Sequence, residues 1–260
     1  MNKSRNKTFL LPIFLLLLGL SDVSVAAISW NFASTPSSWR STSTYTPSSA
    51  GPSVTVSGWA NTGTNGLLQK GWIRSWSGLG VCSQAETTSG SGGCPSTAPQ
   101  HAMDNDPSSK TEFLLLALNQ AVKLTDVTLG WYQSDSDITV LAYGGADSDT
   151  VNMDSWLSGK TYSGLVGANQ WTKVGDYWNL ATTKTTINTI GIYSRYWMIG
   201  AYNSVFGGPS NTTYDYVKLA AVSGLVAPST SQSAVPEPAT LCLFSAGLLL
   251  FRSRRQVLSS

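Results

Sequence analysis

Short stretches of alternating apolar and polar residues recur along the chain, separated by clusters of Gly, Ser, Asn and Asp. Val54-Thr55-Val56-Ser57 and Val127-Thr128-Leu129-Gly130-Trp131 repeat with a period of two, as strands with one buried face do. Ile138 to Tyr143 is rich in β-branched and aromatic residues, and Phe113 to Leu118 is an apolar run of strand length. Thr186 to Tyr193, Trp197 to Tyr202 and Tyr214 to Val222 are further strand candidates. The clusters between them supply turns. A helical period shows only around Met153 to Leu157. This pattern predicts an all-β fold over residues 28–222, a single antiparallel β-sandwich of jelly-roll-like kind. Thr35 to Pro52 reads as a surface loop or extended arm, and residues 223–234 as a linker of small and polar residues.

The two ends break this pattern. Lys3, Arg5 and Lys7 precede the apolar run Phe9 to Leu20, and Val25-Ala26-Ala27 follows with small residues. That is the layout of a secretory signal peptide over residues 1–27, with Val25 and Ala27 marking the cut by signal peptidase after Sec export. At the other end stand Val235-Pro236-Glu237-Pro238, then Ala239 to Phe251 without a charge, then Arg252, Arg254 and Arg255. The prolines keep the tetrapeptide extended and out of a helix. The apolar run has 13 residues, short of the roughly 20 that a stable helical span needs. The arginines hold the extreme C-terminus on the cytoplasmic side. The tail therefore reads as a temporary hold in the inner membrane.

This tail, residues 235–260, resembles the PEP-CTERM sorting signal of Gram-negative bacteria. Val235, Pro236, Glu237 and Pro238 correspond to the motif, Ala239 to Phe251 to the membrane segment and Arg252 to Arg255 to the basic end. The resemblance implies recognition by an exosortase, a membrane-embedded cysteine protease or transpeptidase. That enzyme cuts at or near the motif and delivers the body to the cell surface or to exopolysaccharide. The body resembles one family of exosortase-dependent surface proteins between about residues 54 and 143. Gly78-Leu79-Gly80-Val81, His101 with Asp104-Asn105, Phe113 to Leu116, Val127 to Trp131 and Asp135 to Ile138 carry that likeness. It implies surface delivery and brings no enzymatic activity.

Charge changes the picture in one respect. The whole chain is +2, but residues 28–234 hold ten Lys and Arg against twelve Asp and Glu, a net of −2. The positive balance belongs to the two ends, so nothing in the body argues for a nucleic-acid partner. Cys82 and Cys94 flank a Gly- and Ser-rich loop, and in an oxidising periplasm they are expected to form a disulfide rather than a metal pair. On the chain-entropy account, closing so small a loop contributes about 3 kcal/mol. Cys242 falls in the apolar tail.

Candidate chemistry in the body is sparse. His101 beside Asp104 is the one His-centred group, and no serine sits in a nucleophile-elbow pattern. Short acidic runs at Asp104-Asn105-Asp106, Asp135-Ser136-Asp137 and Asp147-Ser148-Asp149 offer the hard oxygen ligands of calcium. Asp104, Asp106, Asp135 and Asp137 are the expected contributors to a structural calcium, although Asp and Asn also build turns without an ion. Paired carboxylates for glycoside hydrolysis have only Glu86 and Glu112 as glutamates to draw on. Ten tryptophans suit core packing or sugar stacking, the latter mostly around Tyr193, Tyr196, Trp197 and Tyr202. The expected function is that of an exported, non-enzymatic surface or matrix protein associated with exopolysaccharide or biofilm. A carbohydrate-binding module and a secreted hydrolase around His101 are the alternatives.

Overall fold

The computed structural model describes residues 27–87, 94–95, 99, 101–107, 110–167, 170–210 and 213–227. The signal-peptide segment before Ala27, Cys242 and the whole tail from residue 228 lie outside the described residues. Among those described, no helix is long and apolar enough to cross a membrane.

Among the described residues, thirteen strands pair into one large antiparallel sheet. They are β1 (Ala27–Asn31), β2 (Thr42–Tyr45), β3 (Val54–Ala60), β4 (Gln69–Lys70), β5 (Trp72–Ser75), β6 (Leu79–Cys82) and β7 (Met103–Asp104). After them come β8 (Glu112–Ser134), β9 (Ile138–Tyr143), β10 (Trp171–Tyr177), β11 (Lys184–Thr186), β12 (Ser194–Ala201) and β13 (Asp215–Val226). Two short helices, α1 (Met153–Leu157) and α2 (Tyr162–Gly167), lie between β9 and β10.

The organising element is β8, 23 residues long. Its first part, through Leu118, pairs with β3 on one edge and β12 on the other. From Val122, which still meets Ser194 of β12, it pairs onward with β13 and β11. Both parts feed one core: Leu114, Leu116 and Leu118 from the first, Val122, Leu124, Val127 and Leu129 from the second. Because one strand runs through both arms, the strands form a single continuous antiparallel sheet, where two facing sheets were expected.

The first arm is buried on both faces, which explains its uninterrupted apolar sequence. Leu114 and Leu116 point to the inner core, while Phe113 and Leu115 join Leu141, Tyr143, Tyr196 and Met198 on the outer face. There α1 and α2 cover them with Met153, Leu157, Tyr162 and Leu165. Asn152 caps α1, its side chain accepting from the Ser155 amide.

Several expectations change. Residues 187–193 are loop, since only Thr186 of that stretch belongs to β11. Asn188, buried, takes over the local backbone bonding: its amide donates to the carbonyls of Leu124 and Ile192 and accepts from the Ile192 amide. β13 continues to Val226, with Leu225 paired to both Lys123 and Ala27, so Ser223 to Val226, expected as linker, are strand. The Thr35 to Pro52 stretch contains β2. Glycines permit two close approaches. A Cβ on Gly80 would stand 1.7 Å from the His101 carbonyl oxygen, and one on Gly130 would stand 1.4 Å from that of Ser77. Any side chain at either position displaces the segment laid over it.

Candidate functional site

Three carboxylates converge where β8, β9 and β13 meet. Asp135 and Asp137 lie in the link from β8 to β9, and Asp215 opens β13 opposite Ser134. One oxygen from each lies within 4.8 Å of the others, and Asp137 and Asp215 are buried. Backbone donors hold the group in place. Asp215 accepts from the Asp137 amide at 2.8 Å, Asp137 from the Asn179 amide at 2.6 Å and Asp135 from the Ser136 amide at 2.8 Å.

Asn105 closes the arrangement from the far side. Its side chain donates to Asp215 at 2.6 Å and to the Tyr202 carbonyl at 3.0 Å, and accepts from the Asp215 amide at 2.8 Å. Burial raises the Asp215 pKa to about 7, with repulsion from Asp137 and Asp135 adding to the effect. Burial, and then the Asp135 charge, raises Asp137 as well.

This geometry regroups the residues expected for calcium. Asp135 and Asp137 come together, and the third carboxylate is Asp215, 78 residues beyond Asp137. Asp104 and Asp106 fall outside the group. Asp104 accepts from the Asp106 amide in a local turn, and Asp106 accepts from the Tyr216 hydroxyl at 2.8 Å. Three hard oxygen donors suit a calcium-like cation, which would relieve the repulsion among them; Asp135, Asp137 and Asp215 are the residues to hold it. Asn105→Ala removes three hydrogen bonds and is expected to cost about 2–3 kcal/mol. It should lower the urea midpoint with an unchanged m-value.

Elsewhere, Cys82 and Cys94 are joined by a disulfide with Cα atoms 6.1 Å apart. Just beyond Cys82, Ser83 donates from its amide to Glu86 at 2.8 Å. Glu86 lies beside the fully buried Glu112, which forms part of the wall of a narrow cavity with Tyr162 and Asn203. His101 is buried, its ring tilted against Trp76 with centroids 6.0 Å apart.

The aromatic platform expected around Tyr193, Tyr196, Trp197 and Tyr202 does not form. Alternation along β12 turns Trp197 into the inner core and Tyr196 under α1, and Tyr202 is buried at 2% exposure. Their polar ends bond to backbone carbonyls of Ser194, Val151 and Pro209. Of the four, only Tyr193 stays exposed, at 41%.

Among curated proteins, none matches this chain. Residues 234–256 match the PEP-CTERM protein-sorting motif, a span that takes in Val235, Pro236, Glu237 and Pro238 together with Arg252, Arg254 and Arg255. The chain therefore carries a PEP-CTERM sorting signal, which implies export, an exosortase as processing partner and sorting toward the cell surface.

Proposed function

We propose that this protein is a non-enzymatic component of the bacterial surface or extracellular matrix, made as a precursor and released from its membrane hold by an exosortase. The sorting motif at residues 234–256, set behind a folded β-rich body, is the observation that carries this reading. On this reading the signal peptide is removed after Ala27 and the sandwich-like body is exported. Ala239 to Phe251 then parks the tail in the inner membrane, with Arg252, Arg254 and Arg255 on the cytoplasmic side. The exosortase acts at or near Val235 to Pro238 and frees the body for the surface, where exopolysaccharide or biofilm is its setting. The protein's own part in that chemistry is to be cut.

Ala27 opens β1 and pairs with Leu225. Cleavage after it leaves Ile28 to Asn31 still on the ladder with β13, so the mature N-terminus remains tied to the sheet. Intact-mass measurement on protein from native cells, with and without the exosortase, tests the proposal. The expected result is loss of the residues beyond about Pro238 only when the enzyme is present. A full-length tail in both strains would sink it.

A further inference from the structure

A groove of about 460 Å³ opens beside the bend of β8, between Asn119-Gln120-Ala121, the turn at Gly144 to Asp149 and the start of β12 at Tyr193 to Arg195. Its size falls in the usual range for small-ligand sites, roughly 300–1,000 Å³. The lining is unlike an apolar cleft. Asn119 and Gln120 are exposed, and among the described residues their amides hydrogen-bond to no protein group. Arg195 donates to Asp149 at 2.7 Å and is tied by its Nε to the Leu118 carbonyl at 3.2 Å, so the guanidinium is fixed while 83% of the Asp149 side chain stays exposed. Tyr193 adds a ring 41% exposed at the same mouth.

We infer that this groove is a binding site for a neutral glycan segment. Charge argues for neutrality, since Arg195 and Asp149 cancel and no other charged side chain lines the groove. The donor and acceptor set argues for hydroxyls. Free amides give paired donors and acceptors, and the Asp149 carboxylate accepts from O–H groups while Arg195 donates to ring or hydroxyl oxygens. The half-exposed Tyr193 ring offers an apolar face for the C–H side of a sugar, with a polar tip for its hydroxyls. The floor is stiff. Tyr143 beneath is buried and donates to Asp147 at 2.6 Å, and Ser194 donates to the Tyr143 carbonyl at 2.7 Å. A preformed, rigid polar groove keeps the ordering cost of binding low. The inference goes beyond the sorting reading and does not rest on it, because the uncut chain already contains the groove.

The test is calorimetric titration of the full chain in mild detergent with cellohexaose, xylohexaose, mannohexaose and laminarihexaose, and with hexagalacturonate as the charged comparison. Binding of at least one neutral hexaose at millimolar concentration or below is expected, with little response to added salt. Tyr193→Ala and Asp149→Ala should each weaken it tenfold or more while leaving the melting temperature unchanged, since both side chains are largely outside the core. Three results would overturn the assignment: no neutral hexaose bound, hexagalacturonate preferred over all four, or wild-type affinity in both variants. The tail-cleavage measurement is unaffected by any of these outcomes, so the two readings fail separately.

Discussion

Replacing Trp197 by Ala is expected to cost about 3–5 kcal/mol, the usual range for emptying a buried Trp site. Trp197 is fully buried and faces the inner core. Its strand is the junction of the first arm, with Trp197 paired to Leu116 of β8 on one side and Ala142 of β9 on the other. The indole N–H donates to the Ser194 carbonyl at 3.1 Å, so truncation leaves a large cavity and an orphaned acceptor together. Against a typical total of about 5–15 kcal/mol, this takes anywhere from roughly a fifth of the stability to all of it. Urea unfolding by circular dichroism gives the measure. A loss below about 1 kcal/mol would mean that the core is not organised around this ring. A variant at this position consequently reports on folding, and glycan binding has to be probed at Tyr193 instead.

Trp197 also marks the limit of what periodicity can say. Alternation identifies β3 and the second part of β8, which bury alternate side chains against the inner core at Val54 and Val56 or Val127 and Leu129, while β-branched and aromatic content marks β9. Periodicity, here the helical one, also locates α1 at Met153–Leu157. It does not separate the two buried faces of Phe113 to Leu118, because the outer one is covered by helices remote in sequence. The same doubling hides where Trp197 and Tyr196 point. Phe113 to Leu118 and Val127 to Trp131 read as two strands, yet the backbone continues from one to the other, past the exposed Asn119 and Gln120, as the single strand β8. β10 escapes notice for a local reason: a bulge between Lys173 and Gly175 shifts its alternation.

The carboxylate site divides in the same way. Asp135 and Asp137 share a loop and show in the local spacing, whereas Asp215 joins them only because β13 returns along β8 in register with Ser134. Asn105 is visible as an acidic-run neighbour, but its role depends on pairing across 110 residues. Asp104 and Asp106 look equivalent to the ligands in sequence and are spent on the local turn and on Tyr216. The groove beside β8 is built from three separated segments, of which the sequence singles out only Tyr193 and the Asp147-Ser148-Asp149 run, with nothing to bring them together. Long-range register decides these sites, and a single chain carries no local record of it.

The second large effect is a fall in stability as pH rises through neutrality. Glu112 is fully buried and lies beside Glu86, near Asp104. Burial foremost, then the negative charges of Glu86 and Asp104, pushes the Glu112 carboxyl well above the usual range. Burial raises Glu86 to about 7, the Ser83 amide opposing only in part. In the unfolded chain both groups titrate near pH 4.3. Between there and neutrality the folded state holds protons that the unfolded chain has released, so each step up in pH favours unfolding. The native pair is thus most secure below about pH 4.3, and its contribution fades through pH 7 and above as the folded carboxyls ionise. For Glu86 alone the effect is on the order of 3 kcal/mol. Urea midpoints measured from pH 5 to pH 8 in EDTA-treated buffer should fall steadily. Glu112→Gln should remove at least half of that slope and raise stability at pH 8, since the amide can donate to an ionised Glu86 without a buried charge of its own. Glu86 itself, Asp215, also raised to about 7, and Asp137 shift in the same direction and account for the remainder. A flat profile, or an identical slope in the variant, would show that the two glutamates are already ionised and solvated in the folded protein.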